Sequence, residues 1–198
     1  MVILESATDP KLVTLLQTGA VGIMPTDTIY GLVATARDPA VVRRLYKLKE
    51  RERKPGTIIA AHVDQLVALG IDRSLLRRVA HLWPNPLSIV LSVSAELSYL
   101  DQAVGSLAVR VPQDETIRAL LAQTGPLVTS SANHPGHVPA SNMIEAQRVF
   151  GDQVDFYVAG DDRGDRPPST VVRLRSDGQF ELLRRGAVTI DEQGNIHD

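Results

Sequence analysis

Apolar residues recur along the chain in short blocks divided by polar punctuation, and the spacing inside each block predicts its conformation. Asp9-Pro10 opens a helix that runs to about Gln17, and Thr18-Gly19 stops it. Residues 21–24 form a short apolar run suited to a buried strand that ends at Pro25, and 26–31 (TDTIYG) follow as a hydroxyl-rich turn. Asp38-Pro39 starts a second helix, in which Val41, Val42, Leu45 and Leu48 return at helical spacing while cations take the other positions. Residues 57–61 read as a buried strand, and Asp64 and Asp72 as the N-caps of two further helices.

Trp83-Pro84-Asn85-Pro86 is a rigid turn ahead of a strand over 87–93; residues 94–105 show no period and read as loop. Strands follow at 107–111, with Arg110 inside it, at 127–130 and at 154–158. Between them lie helices over 114–123 and 142–150 and a turn-rich loop, SANHPGHVPA, over 131–140. After a Gly/Asp/Pro loop at 160–168, strands at 169–174 and 179–183 form a hairpin around Ser176-Asp177-Gly178. Helices interspersed with strands predict an α/β fold in two or three layers: one domain over 1–198, a twisted mixed sheet flanked by helices.

Composition narrows the function classes. Hydrophobic residues make up 43% and charged residues 22%, as in ordinary soluble domains. Cysteine is absent, which excludes thiolate nucleophiles and disulfides, and no apolar run approaches a membrane span. With no signal peptide at Met1, the expected location is cytoplasmic, with no membrane partner. Against a formal net charge of -2, Arg43, Arg44, Lys47, Lys49, Arg51, Arg53 and Lys54 crowd one stretch with only Glu50 and Glu52. Such a knot is either a solvated helix face or a holder of phosphates, with lysine as point charge and arginine as planar fork.

No P-loop, dinucleotide fingerprint, nucleophile elbow or zinc-protease motif occurs. His134 and His137 read as loop histidines, and Asp161, Asp162 and Asp165 as an exposed turn in preference to a metal site. What remains is a set of hydroxyls, amides and cations at strand ends and in loops: Thr26, Thr28, Tyr30, Lys49, Arg51, Ser106, Arg110, Ser131, Asn133, Ser169 and Thr170. Together they suit a polyanion beside a zwitterion. Arg110, inside an apolar strand, requires either an anionic ligand in an open cavity or an internal salt bridge.

PTDTIYGL at 25–32, Lys49-x-Arg51 with Lys54-Pro55, WPNPLSIVL at 83–91, LAVRVP at 107–112, PLVTSSAN at 126–133, PSTVV at 168–172 and LLRRGAV at 182–188 occur in that order. In this the chain resembles the YrdC/TsaC family of threonylcarbamoyl-AMP synthases over nearly its whole length, in the short form without an additional C-terminal domain. The resemblance implies a basic concave groove and a nucleotidyl transfer from ATP to a carbamate made from L-threonine and bicarbonate. Mg²⁺ would enter with ATP and not on a protein-held site. It assigns Lys49 and Arg51 as catalytic residues on the phosphates. Threonine falls to Thr28, Arg110, Ser131 and Ser169, and the nucleotide to Arg51, Lys54, Ser106, Asn133, Ser141 and Arg184.

The implied product serves threonylcarbamoyladenosine modification of tRNA, through a downstream threonylcarbamoyl-transferase complex. An RNA-binding module using the same groove on double-stranded RNA or tRNA is the competing reading, as is a paralogue acting on another amino acid. Aromatic residues are only 4% and do not interleave with the cations, which speaks against a stacking platform for RNA. Three departures from the family pattern stand out: Glu52 where proline is usual, SANHPG in place of SAN-x-SG, and Arg173 in place of an acidic residue.

Overall fold

A computed structural model describes residues 1–50 and 52–197. The chain runs β1 (Val2–Leu4), α1 (Pro10–Gln17), β2 (Gly22–Pro25), β3 (Tyr30–Thr35), α2 (Pro39–Leu48), β4 (Thr57–Ile59), α3 (Val63–Leu69) and α4 (Arg73–Val79). It continues with β5 (Leu87–Ser92), α5 (Ser98–Asp101), β6 (Ser106–Arg110), α6 (Glu115–Thr124), β7 (Leu127–Ser131), α7 (Met143–Phe150) and β8 (Phe156–Val158). Last come β9 (Thr170–Leu174), β10 (Phe180–Arg184), β11 (Thr189–Ile190) and β12 (Ile196–His197).

The helix starts follow their caps. Asp9, Asp38, Asp72 and Asp114 each accept a backbone N–H from the first turn that follows, satisfying donors the helix itself leaves open. Asp64 behaves otherwise than the sequence suggests: α3 begins two residues earlier, with His62 as N-cap, and Asp64 sits in the first turn. Residues 94–105, expected as loop, contain a 3₁₀ turn at Ala95–Leu97 and the short helix α5. The hydroxyl-rich turn after Pro25 is shorter than expected, because β3 already begins at Tyr30.

Among the described residues ten strands form one sheet in the order β1-β8-β2-β3-β7-β4-β6-β5-β9-β10. Parallel pairs (β1/β8, β2/β8, β4/β6, β5/β9) mix with antiparallel ones. Because side chains alternate across a strand, neighbours in sequence join different cores. Met24, Val33 and Ile59 pack with Leu12 and Leu16 of α1 and Ile117, Leu120 and Leu121 of α6. Ile23, Leu32 and Ile58 pack on the other side with residues of α2, α3, α4 and α7. Helices thus cover both faces, and the sheet is the middle of three layers. Among the described residues no helix is long and apolar enough to cross a membrane.

Candidate functional site

The register of the central strands builds the site. β3 pairs antiparallel with β7, placing Gly31 beside Ser131, and β7 pairs with β4, placing Thr129 beside Thr57. β6 runs parallel to β4 and sets Arg110 beside Ile59. Thr57 and Arg110 therefore face the same side as Ile59, the side that α1 and α6 cover elsewhere. Glycine keeps the surface open here. A Cβ on Gly31 would stand 2.6 Å from Thr129 Oγ1, and one on Gly56 would stand 2.6 Å from the Thr129 carbonyl oxygen.

The result is a recess lined by residues that include Thr28, Arg110, Ser131, Ser169 and Arg184. A second recess is lined by Lys49, Glu50, Glu52, Lys54, Ser131, Asn133, Pro135 and Gly136. Ser131 belongs to both. The four residues assigned to threonine thus share one wall system, and Lys54 and Asn133 face the neighbouring space. Arg184, assigned to the nucleotide, lines the first recess, where its guanidinium donates to the carbonyl oxygen of Ser169 at 2.7 Å and to its Oγ at 3.1 Å. The Ser169 hydroxyl also contacts Ser88 Oγ at 3.0 Å.

Arg110 meets both conditions posed by its place in an apolar strand. It lines the recess, and its Nη1 lies 2.8 Å from Asp27 Oδ1, with both side chains 4% exposed. Burial pushes the guanidinium below the ordinary arginine value, and the Asp27 charge opposes that shift. Nη1 is not aligned with Asp27 as a hydrogen bond, and Nε has no acceptor. Asp27 had no role in the sequence reading. Its only signal was a carboxylate set between two threonines in PTDT.

Lys49 is held from within the protein. Its buried ammonium donates to the carbonyl oxygen of Ser131 at 2.7 Å and to its Oγ at 3.3 Å, and also to the backbone and side-chain oxygens of Asn133. Three N–H donors face four protein acceptors, so Lys49 ties residues 131–133 together at the wall of the second recess. Arg51 lies outside the described residues. Of the other cations, Arg44 does not line either recess but pairs with Asp155 at 2.5 Å.

Two assigned residues lie apart. Ser106 shares Arg110's face, but as the first residue of β6 it stands roughly 13 Å from it along the strand. There it borders a different groove, with Arg78, Arg173 and Arg175. Ser141 Oγ donates to Glu145 at 2.9 Å, in a network with Asn142 and Asp162 at the start of α7. Around the second recess two lysines are matched by Glu50 and Glu52. Among the described residues no group of three or more histidines or carboxylates could hold a metal. His134 stacks near Phe150 with ring centroids 5.2 Å apart.

Comparison with known proteins agrees with this architecture. The model of the Sua5/YciO/YrdC family, described as "Telomere recombination", matches residues 14–186. The chain belongs to that family. A Mycobacterium tuberculosis (strain H37Rv) protein named "Putative threonylcarbamoyl-AMP synthase" is 30% identical over 185 residues, 91% of this chain and 85% of that protein. P. abyssi Sua5, solved with L-threonine, superposes with a TM-score of 0.83 at 25% identity, covering 95% of this chain. This chain spans only 58% of the length of that Sua5. E. coli YciO shares the fold at a TM-score of 0.78 and 21% identity, over 94% of this chain and 95% of its own.

Proposed function

We propose that this chain is an L-threonylcarbamoyladenylate synthase, making threonylcarbamoyl-AMP and pyrophosphate from L-threonine, bicarbonate and ATP. The observation that carries this reading is the junction at Ser131 of a recess walled by Arg110 with a second one walled by Lys54 and Asn133. An amino acid in the first space would meet a nucleotide in the second beside a hydroxyl common to both. The name of the M. tuberculosis relative and the threonine bound by P. abyssi Sua5 support the same assignment.

In this reading Arg110 holds the threonine carboxylate by a charge-assisted contact, and the hydroxyls of Thr28 and Ser169 orient the amino acid. The neutral amine attacks bicarbonate, forming the N–C bond of a carbamate and releasing water; the proton shed by the ammonium leaves to solvent. A carbamate oxygen then attacks the α-phosphorus of ATP, and the bond to the β-phosphate oxygen breaks as pyrophosphate departs. Such a transfer depends on positioning and charge stabilisation, so no protein nucleophile is needed. Arg51 and Lys54 meet the phosphates, while Lys49 acts by fixing Ser131 and Asn133. Mg²⁺ would enter with ATP and would neutralise charge on its phosphates. Ser106 and Ser141 would touch only a ligand that reaches beyond the two recesses.

The test is pyrophosphate release with each substrate omitted in turn, read beside mass detection of the adenylate. Release that requires threonine, bicarbonate and ATP together is the expected result. Release that ignores threonine rejects the reading. A product so labile would be consumed by a transferase that passes its threonylcarbamoyl group to tRNA.

A further inference from the structure

Asp27 stands behind Arg110 and does not itself line the amino-acid recess. One carboxylate oxygen faces Arg110 Nη1, and the other accepts the Gln113 backbone N–H at 3.2 Å, which ties the Thr26–Thr28 turn to the segment after β6. The two side chains are almost fully removed from water, so little screens either charge. Arg184 also lines the recess, but it is exposed and its charge is shared with solvent. Arg110 stays protonated despite burial, because no protein environment strips a guanidinium. The deep wall of the recess is therefore an electrically neutral pair whose cationic member lines the space.

We propose that Asp27 is a specificity-determining residue, which makes the recess take amino-acid zwitterions and reject simple carboxylates. This rests on reading the recess as the amino-acid subsite. A bare carboxylate entering beside Arg110 gives the buried site a net negative charge and is repelled by Asp27. A zwitterion brings its own cation and leaves the sum neutral. Asp27 thus occupies the charge-compensating role that any small anion would otherwise fill, and a ligand must earn its place with both charges.

The experiment is calorimetric titration of the full chain, without ATP, using L-threonine, 3-hydroxybutyrate (threonine without its amino group) and acetate. The wild type is expected to bind threonine and to bind 3-hydroxybutyrate at least about tenfold more weakly. Asp27→Asn keeps the shape and removes the charge, leaving a guanidinium that a bare carboxylate can compensate. The preference for threonine should then shrink by about tenfold, with 3-hydroxybutyrate raising the variant's Tm more than the wild type's. Asp27→Glu, which retains the charge, should keep the preference. A preference unchanged in Asp27→Asn, or an equal weakening of both ligands, overturns the proposal. So does displacement of threonine from the wild type by millimolar acetate, whatever the folding of the variants. Threonine binding without pyrophosphate release would reject the synthase reading and leave this one standing. Pyrophosphate release with an unchanged preference would reject this one alone, and a wild type that binds no threonine rejects both.

Discussion

The Lys49 ammonium donates to both the backbone and the side-chain oxygen of Asn133. Ser131 Oγ donates to the same side-chain oxygen at 2.6 Å, so one buried cation fixes the amide and hydroxyl that border the two recesses. Lys49→Met keeps most of the stem but strands these acceptors, at about 1–3 kcal/mol for each one left unsatisfied. We expect a loss of several kcal/mol in urea denaturation and a raised KM for ATP. Lys49→Arg should not restore either, because a planar fork cannot replace a point charge among convergent carbonyls. A variant with wild-type stability and wild-type ATP dependence would remove Lys49 from this role.

Arg51 is assigned to the phosphates from the Lys-x-Arg motif, and its role is separable from that of Lys49. Charge stabilisation of the departing pyrophosphate should make Arg51→Ala about a hundredfold slower in kcat/KM, or more. Steady-state pyrophosphate release measures this. Turnover near that of the wild type would place the phosphates elsewhere.

The elements that could be read from the sequence are those whose signals are local. α2 carries its aspartate cap, its proline and its apolar stripe within one stretch, and it was found with its cap in place. β3 was partly hidden because TDTIYG runs into it without punctuation, and a central strand buried on both faces lacks alternation. β1, β11 and β12 are only two or three residues long; β1 exists through its distant partner β8, and β11 and β12 exist only by pairing with each other. The site divides in the same way. Arg110 was conspicuous as an arginine among apolar neighbours, but nothing local says that Asp27 reaches it from the turn between β2 and β3. Lys49 was visible as a cation near a Pro-Gly turn, whereas its four acceptors come from the end of β7 and the loop beyond it.

Gly186 controls Ser169 from the C-terminal segment. A Cβ there would stand 2.2 Å from the Pro168 carbonyl oxygen and 2.5 Å from the Ser169 carbonyl carbon and the Thr170 nitrogen. The clash is with backbone, which cannot swing aside as a flexible side chain would. Neighbouring contacts hold the two segments together, with the Ala187 N–H donating to the Pro168 carbonyl at 2.9 Å and Thr170 Oγ1 to the Val188 carbonyl at 2.5 Å. Gly186→Ala should therefore displace Ser169 from the recess, at a cost of about 1–3 kcal/mol for overpacking. The expected signature is a raised KM for threonine with the KM for ATP little changed. Equal effects on both would point to general unfolding.

Acid should loosen the tie between α2 and the segments that lead into β2 and β8. The hydrogen bonds from Arg44 hold the Asp155 carboxyl below the usual carboxylate range, and the Val21 N–H, at 2.8 Å, adds to the effect. A carboxylate whose pKa is depressed on folding contributes stability that is present above its unfolded value, about 3.9, and is lost as pH falls through the folded value. Asp155→Asn should accordingly be less stable than the wild type at pH 7, with the gap closing as both are taken below about pH 4. The size should be modest, because the Arg44 and Asp155 side chains are 43% and 36% exposed and solvent screens the pair. Thermal unfolding of the two proteins across pH 2–7 tests this, since a gap that stays constant with pH would show that the charge on Asp155 is not what joins α2 to the sheet.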